Sequence, residues 1–221
     1  MKTRFFFVIY LHNEAIKSIL DGMRIVADPS QKNFSHITVK GPYRSSQKKR
    51  LLHDNKLIEG KEIKVLGAGN FFSDKQNTVF LECEDKEELY SIWKTKENKD
   101  YKEFHPHITI YDGKNRDFAE DLFKTIDSYN INFSFIVDKL DIYSSAHKEN
   151  LFNLKTQVDY SLLSRITSFN INQENVGELS NSERIEIINK LCNVLERINL
   201  LFKDPVINSN NLHKHHLLVE A

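Results

Sequence analysis

Two stretches of the chain decide its fold: residues 34–43 read FSHITVKGPY and residues 104–113 read FHPHITIYDG. Each begins with phenylalanine, contains the triplet His-Ile-Thr and ends at a turn signal, Gly-Pro in the first and Asp-Gly in the second. The alternation of polar and apolar residues predicts a β-strand in both. Because a helical pattern follows each stretch, the repeat predicts two related lobes.

The repeated triplet puts the same side chains on one face of each strand. Residues i and i+2 share a face, so His36 and Thr38 point the same way. The same spacing holds for His107 and Thr109. If the lobes are pseudo-symmetric, two imidazoles and two hydroxyls meet across a cleft. This set suits phosphodiester cleavage without a metal, because one histidine can accept a proton and the other can donate one while hydroxyls bind the phosphate.

The paired strands resemble the defining motif of the 2H phosphoesterases, the superfamily that contains LigT-like 2′,3′-cyclic phosphodiesterases and 2′-5′ RNA ligases. The resemblance implies an α+β, bilobal, pseudo-symmetric fold, with antiparallel sheets around a central cleft and helices outside. It implies that His36 and His107 are the catalytic acid–base pair, that Thr38 and Thr109 bind phosphate, and that no cofactor is needed.

The expected substrate is an RNA or nucleotide phosphodiester that involves a 2′-hydroxyl. A 2′,3′-cyclic phosphate, a 2′-5′ linkage and a cyclic oligonucleotide all satisfy this description, and the expected enzyme is a phosphoric diester hydrolase. Two alternatives stay open. One is a sensor module that binds a nucleotide or RNA end without turnover. The other is a metal hydrolase whose zinc is held by His36, His105 and His107.

Four residues that follow the triplets are candidates for substrate binding. Lys40 and Arg44 would guide a polyanionic substrate toward the cleft. Tyr43 and Tyr111 would stack on a nucleobase. The alternative for the basic residues is a solvated helix face, and the alternative for the tyrosines is a core or rim position.

The remaining patterns predict a 2H phosphoesterase domain over residues 1–148, in which strands and helices alternate in the order expected of an α+β fold. Asp85 and Glu88 are spaced as a capping box at the start of a short helix. Strands are predicted over residues 4–11, 34–40, 62–72, 77–84, 104–111 and 131–144, and longer helices over 14–26, 46–59 and 116–129.

Residues 149–221 are predicted to form a C-terminal extension that is mostly helical and ends in a frayed tail. Residues 151–160 predict one more strand, and a capping-box spacing at Ser180 and Glu183 predicts the start of a long helix. Apolar residues in steps of three and four over 188–202 form a stripe along that helix. The stripe fits packing on the parent domain or pairing with a second copy in a homodimer.

Composition limits the classes of partner and the compartment. The chain has 31 basic and 31 acidic residues, and this zero net charge excludes a polybasic coat for long nucleic acid. Cys83 and Cys192 make no disulfide framework, so a reducing, cytoplasmic compartment is expected. No stretch approaches the roughly 18–20 apolar residues of a membrane span, so no membrane partner is expected.

Overall fold

The computed structural model describes residues 4–94, 103–144, 154–201 and 206–207. The strands are β1 Phe5–Tyr10, β2 His36–Tyr43, β3 Glu62–Phe72, β4 Asn77–Cys83, β5 His107–Gly113, β6 Phe133–Ile136, β7 Asp141–Ser144 and β8 Val206–Ile207. The helices are α1 Glu14–Ala27, α2 Lys48–Ile58, α3 Glu87–Trp93, α4 Arg116–Asp127, α5 Leu154–Gln157, α6 Tyr160–Thr167 and α7 Asn181–Leu201.

The strands form one sheet in the order β7-β1-β2-β5-β4-β3-β6-β8. All neighbours are antiparallel except β6 and β8. The two halves of the sheet meet where β2 crosses β5, at the single residue pair Ile37 and Ile108. The α+β, two-lobed prediction is therefore confirmed, and the strands that carry the triplets are the ones that join the lobes.

Helices α1 and α4 begin at asparagine caps. The Asn13 Oδ1 accepts a hydrogen bond from the Ile16 backbone N–H at 3.2 Å, and Asn115 does the same for Phe118 at 3.1 Å. The large apolar residues of α1 are buried, with Leu20 fully inaccessible. Apolar stripes drive each helix onto the apolar side of the sheet, where Ile37 and Ile108 also lie.

Helix α7 packs against α1 and α4, so the C-terminal extension lies on the domain itself. Four residues of its predicted apolar stripe are buried within the chain: Ile188, Leu191, Leu195 and Ile198. The fifth, Phe202, lies outside the described residues. The predicted capping box is confirmed, because the Ser180 backbone N–H donates to Glu183 Oε2 at 2.8 Å and the Glu183 N–H donates to Ser180 Oγ at 3.3 Å. The homodimer stays a prediction, and the burial of the stripe favours the alternative of packing on the parent domain.

The predicted single strand over 131–144 is wrong. It is two strands, β6 and β7, which lie in opposite halves of the sheet. The chain must cross between them, and α2 supports the crossing, since Asn55 Oδ1 accepts a hydrogen bond from the Leu140 N–H at 2.5 Å. A continuous strand cannot pair in both places.

Two smaller predictions are also wrong. Asp85 does not cap α3, because the capping position is Lys86 and Glu88 instead forms an ion pair with Lys61 at 2.8 Å. The described part of 151–160 is helical rather than a strand. Asp159 caps the second helix there, accepting from the Leu162 N–H at 2.9 Å. Within the predicted frayed tail, Val206–Ile207 form β8 instead. The rest of the tail and residues 151–153 lie outside the described residues, and the boundary at residue 148 stays a prediction.

Candidate active site

The two triplet strands share an irregularity at the same position. β1 pairs regularly with the triplet of β2, and β4 pairs regularly with the triplet of β5; directly after each triplet the register shifts by one residue. The shift leaves Val39 unpaired after Thr38 in β2, and Ile110 unpaired after Thr109 in β5. Each triplet strand therefore contains a β-bulge directly after its threonine, which bends the strand and reverses the side-chain alternation beyond it.

The bulges explain where two of the predicted substrate-binding residues lie. Without a bulge, Lys40 and Tyr111 would follow the histidine and threonine on the cleft face. They are instead only 1% and 7% exposed. The Tyr111 ring packs against Phe118, and its hydroxyl accepts a hydrogen bond from the Asn115 N–H at 3.2 Å. Tyr111 thus supports the start of α4.

The other two candidates differ from each other in exposure. Tyr43 is buried, with its ring 5.3 Å from that of Phe7, whereas Arg44 is exposed. Burial favours packing roles for Tyr43, Lys40 and Tyr111. The assignment of all four residues to substrate binding stays a prediction.

The crossing of β2 and β5 brings the two triplets together. Because Ile37 pairs with Ile108 in an antiparallel bridge, His36 lies across from Thr109 on the neighbouring strand. By the same geometry Thr38 lies across from His107. The two isoleucines are fully buried beneath, so the four polar side chains share the opposite face.

Each triplet histidine is oriented by the backbone two residues earlier. His36 Nδ1 lies 2.7 Å from the carbonyl oxygen of Phe34, and His107 Nδ1 lies 2.6 Å from that of His105. A carbonyl oxygen can only accept, so Nδ1 carries the hydrogen in both rings. In the neutral form the lone pair is therefore on Nε2 of both histidines.

His36 is enclosed by aromatic rings. The Tyr10 ring lies 5.9 Å away edge-on, and the Tyr143 ring lies 6.2 Å away and nearly parallel. Burial lowers the pKa of His36 to about 4, and the positive charge of Arg24 adds to this effect. The hydrogen bond to the Phe34 carbonyl acts in the opposite direction but does not prevail. His36 is thus neutral at pH 7.

His107 lies beside an open recess. Its ring contacts Phe80 at 4.6 Å and Phe71 edge-on at 5.6 Å. Burial is the main cause that lowers the pKa of His107. The hydrogen bond to the His105 carbonyl is the largest cause that acts to raise this pKa, and the carboxylate of Asp112 adds a smaller effect in the same direction. The recess has a volume of about 630 Å³ and is lined by Asn70, Phe71, Phe72, Ser73, Gln76, Thr78, His107, Thr109 and Asp112.

Comparison with known families agrees with this geometry. The sequence model of the 2′-5′ RNA ligase superfamily matches residues 27–149, which include both triplet strands. The chain belongs to the 2′-5′ RNA ligase superfamily. The match is consistent with the 2H phosphoesterase superfamily that the triplets indicate, and membership indicates a phosphoesterase or ligase activity. Among curated proteins, none matches the chain.

A buried pair of charges in α1 holds both triplet strands of this superfamily member. Asp21 Oδ1 accepts a hydrogen bond from the Ser35 N–H at 2.6 Å, directly before the first triplet. Arg24 donates from Nε to the Asn33 carbonyl at 3.2 Å and from a terminal nitrogen to the carbonyl of Thr109. One helix therefore fixes the spacing of the two strands.

Sequence patterns did not identify this pair, although a signal is present. Asp21 and Arg24 are both 3% exposed and interrupt an otherwise apolar part of the α1 pattern. A charged side chain on the buried face of a helix needs a partner, because an unpaired charge is costly to bury. Burial lowers the pKa of Arg24 to about 10, so it remains a cation at neutral pH.

Two further alternatives can be compared with the structure. Within residues 4–94, 103–144, 154–201 and 206–207, no group of three or more His, Cys, Asp or Glu side chains is placed to hold a metal ion, so the set of His36, His105 and His107 is not assembled. His105 Nε2 instead lies 3.1 Å from Glu103 Oε2. In the same described ranges, no helix combines the length and apolar character needed to cross a bilayer.

Proposed function

We propose that this protein is a metal-independent phosphodiesterase that hydrolyses an RNA or nucleotide phosphodiester involving a 2′-hydroxyl. One observation carries the proposal: His36 and His107 lie on the same face of crossing strands, each with Nδ1 bound to a backbone carbonyl. Both Nε2 atoms are thereby available for proton transfer on a substrate held between them. A 2′,3′-cyclic phosphate, a 2′-5′ linkage and a cyclic oligonucleotide are the substrates to compare.

His36 is proposed as the general base. Its pKa of about 4 keeps it neutral at pH 7, and its lone pair is on Nε2. With a 2′,3′-cyclic phosphate, water attacks phosphorus, the new P–O bond forms, and the water proton passes to His36 Nε2. A bound phosphodiester anion raises the pKa of a nearby histidine, which makes His36 a stronger base once substrate is present.

His107 is proposed as the general acid. The hydrogen bond to the His105 carbonyl and, to a smaller extent, the carboxylate of Asp112 oppose the lowering of its pKa by burial. Because His107 borders the open recess whereas His36 is enclosed by aromatic rings, His107 is the better placed of the two to hold a second proton. The imidazolium donates from Nε2 to the leaving 2′- or 3′-oxygen as the old P–O bond breaks. Because one histidine must be neutral and the other protonated, the pH–rate profile is bell-shaped.

Thr38 and Thr109 are proposed to bind the non-bridging phosphate oxygens. The Ile37–Ile108 bridge puts each threonine on the same face of the crossing strands as the two histidines. A hydroxyl that donates to a phosphate oxygen stabilises charge that develops in the transition state. Loss of one such donor is expected to cost about 10–1,000-fold in kcat.

The test is turnover of a small substrate panel in the presence of EDTA. The panel holds 2′,3′-cyclic nucleotides, 2′-5′ and 3′-5′ dinucleotides, and cyclic dinucleotides. Wild type is compared with the double variant His36→Ala/His107→Ala and with His53→Ala, whose histidine has a side chain that is 75% exposed on α2. Expected is cleavage that survives EDTA, is retained in the His53 variant and disappears in the double variant.

Other outcomes would move the proposal elsewhere. Cleavage that EDTA abolishes would support the metal hydrolase. Cleavage that persists in the double variant would refute the two-histidine mechanism. Binding of panel members without any cleavage would support the sensor module.

A further inference from the structure

The two histidines of the proposed site have unequal surroundings. The aromatic rings of Tyr10 and Tyr143 stand beside His36, whereas His107 borders the recess of about 630 Å³. A substrate whose phosphate lies between the histidines therefore has room for its nucleoside on the His107 side. The asymmetry follows from the β3–β4 hairpin, which extends the sheet beyond β5.

The chemistry of the recess suits a nucleobase rather than a second phosphate. In the described part of the chain, its lining includes no lysine or arginine, and its only carboxylate is Asp112. The guanidinium of Arg116 lies 4.3 Å over the ring of Phe72, at another part of the lining. A carboxylate repels a phosphate, so Asp112 disfavours a phosphate beside it. An uncharged base is not repelled in this way.

Phe71 offers a stacking surface in this recess. Its side chain is 43% exposed although it is large and apolar, and its ring is held by Phe80 at 4.5 Å and His107 at 5.6 Å. The ring also lies 5.7 Å from that of His105. A ring that neighbours hold in place while much of it stays exposed is a platform for a base. Stacking of a base on an aromatic side chain is worth about 1–3 kcal/mol, whichever base is present.

Asp112 offers a hydrogen-bond acceptor that could distinguish bases. Gln76 Nε2 donates to Asp112 Oδ1 at 2.5 Å, and Thr78 Oγ1 donates to the same oxygen at 2.8 Å. These two donors orient the carboxylate. Among the described residues, both bonds go to Oδ1, so Oδ2 is the acceptor offered to a ligand. An exocyclic amino group donates to a carboxylate, whereas a carbonyl oxygen in the same place would be repelled.

We propose that the recess beside His107 binds the substrate's base on Phe71, and that Asp112 selects a base with an exocyclic amino group. This inference rests on the proposed function for the position of the phosphate. Cytosine is therefore preferred over uracil, and adenine over hypoxanthine. Within each pair the ring size is the same, the amino group is exchanged for a carbonyl and the adjacent ring nitrogen changes from acceptor to N–H donor. Stacking is therefore matched, and the comparison tests whether Asp112 faces the exocyclic position.

The first experiment measures binding separately from turnover. The variant His36→Ala, which lacks the proposed base, is titrated with 3′-CMP, 3′-UMP, 3′-AMP and 3′-IMP, and Kd is measured by calorimetry. The second experiment measures kcat/KM of wild type on the matching 2′,3′-cyclic nucleotides. Expected in both is a preference of about threefold to tenfold for the amino base, because Asp112 is exposed and water competes for the hydrogen bond.

Variants assign the preference to named side chains. Asp112→Asn is expected to reduce the amino-to-carbonyl ratio to about one, whereas Asp121→Asn, which removes an exposed carboxylate on α4, leaves it unchanged. Phe71→Ala is expected to weaken binding of all four nucleotides about tenfold. Leu66→Ala removes another exposed apolar side chain from the same strand and leaves binding unchanged.

The outcomes separate this inference from the proposed function. Equal affinity for amino and carbonyl bases, or a ratio that Asp112→Asn does not change, overturns the inference whether or not the protein cleaves. If a variant fails to fold, the ratio of affinities for amino and carbonyl bases measured on wild type decides whether the inference holds. Failure to bind any of the four nucleotides also overturns it. Selective binding without cleavage by wild type supports the recess and refutes the phosphodiesterase.

Discussion

The low pKa of His36 has a consequence for stability that needs no substrate to test. In the unfolded chain the histidine has an ordinary pKa of about 6.5, whereas in the folded protein burial lowers the pKa to about 4. As the pH falls below 6.5, His36 takes up a proton in the unfolded state but stays neutral in the folded state. Folding is therefore destabilised as the pH falls from about 6.5 to about 4, and this loss is absent above pH 7.

The size of the effect follows from these two pKa values. Linkage gives a loss of about 1.4 kcal/mol at pH 5.5 and about 2.5 kcal/mol at pH 4.5, approaching about 3.4 kcal/mol at lower pH. The variant His36→Gln cannot take up this proton in either state. Its free energy of unfolding should therefore fall less steeply than that of wild type over this range, whatever its stability at pH 7.

The assay is urea denaturation of both proteins at pH 7.5, 6.5, 5.5 and 4.5, with His53→Gln as the control for loss of an exposed histidine. Carboxylates titrate in all three proteins, so only the difference between wild type and variant reports on His36. If the two curves of free energy against pH are parallel within about 0.5 kcal/mol, then burial does not hold His36 neutral. Its assignment as the neutral base would then lose its support.

Four further predictions follow from particular contacts. Gly69→Ala would put a Cβ 2.3 Å from the Phe80 ring, so the free energy of unfolding measured by urea denaturation should fall by about 1–3 kcal/mol. The kcat should also fall, because the displaced ring moves against His107. Wild-type stability would contradict this prediction. Arg24→Gln removes a cation that lowers the pKa of His36, so this pKa should rise and the acidic limb of the pH–rate profile should move to higher pH. An unmoved limb would show that Arg24 acts on the site through its hydrogen bonds and not through its charge. Thr38→Ala should lower kcat about 10–1,000-fold with an unchanged melting temperature, and an unchanged kcat would remove this residue from the site. Leu191→Ala, at a fully buried position of α7, should lower the free energy of unfolding by about 2–5 kcal/mol. A smaller decrease would mean that the C-terminal extension contributes little to the stability of the fold.

Local patterns predicted most of the elements because local geometry produces those patterns. The period of two around His36 and His107 predicted both triplet strands, and the steps of three and four along α7 predicted its buried stripe. Where prediction failed, a distant contact decided the outcome. Glu88 forms an ion pair with Lys61 instead of the predicted capping box. The segment 131–144 forms two strands because these pair in different halves of the sheet.

The recess and the α1 charges were missed for the same reason. Arg24 reaches the carbonyl of Thr109, which is 85 residues away along the chain. Asp112 meets Gln76 and Thr78 only because β4 pairs with β5. Nothing in the local spacing of these residues indicates such contacts.

The sequence by itself determined the repeated His-Ile-Thr strands, the superfamily to which they point and the pairing of each histidine with a threonine on one face. Those properties depend on neighbours within two to four residues, which the chain order states directly. Tertiary structure alone decided the bulges that turn Lys40 and Tyr111 away from the cleft. It also decided that α1 hydrogen-bonds to both triplet strands through Asp21 and Arg24. It also decided that His36 is enclosed while His107 opens onto a recess, because burial and pKa depend on which distant strands and rings pack around a side chain.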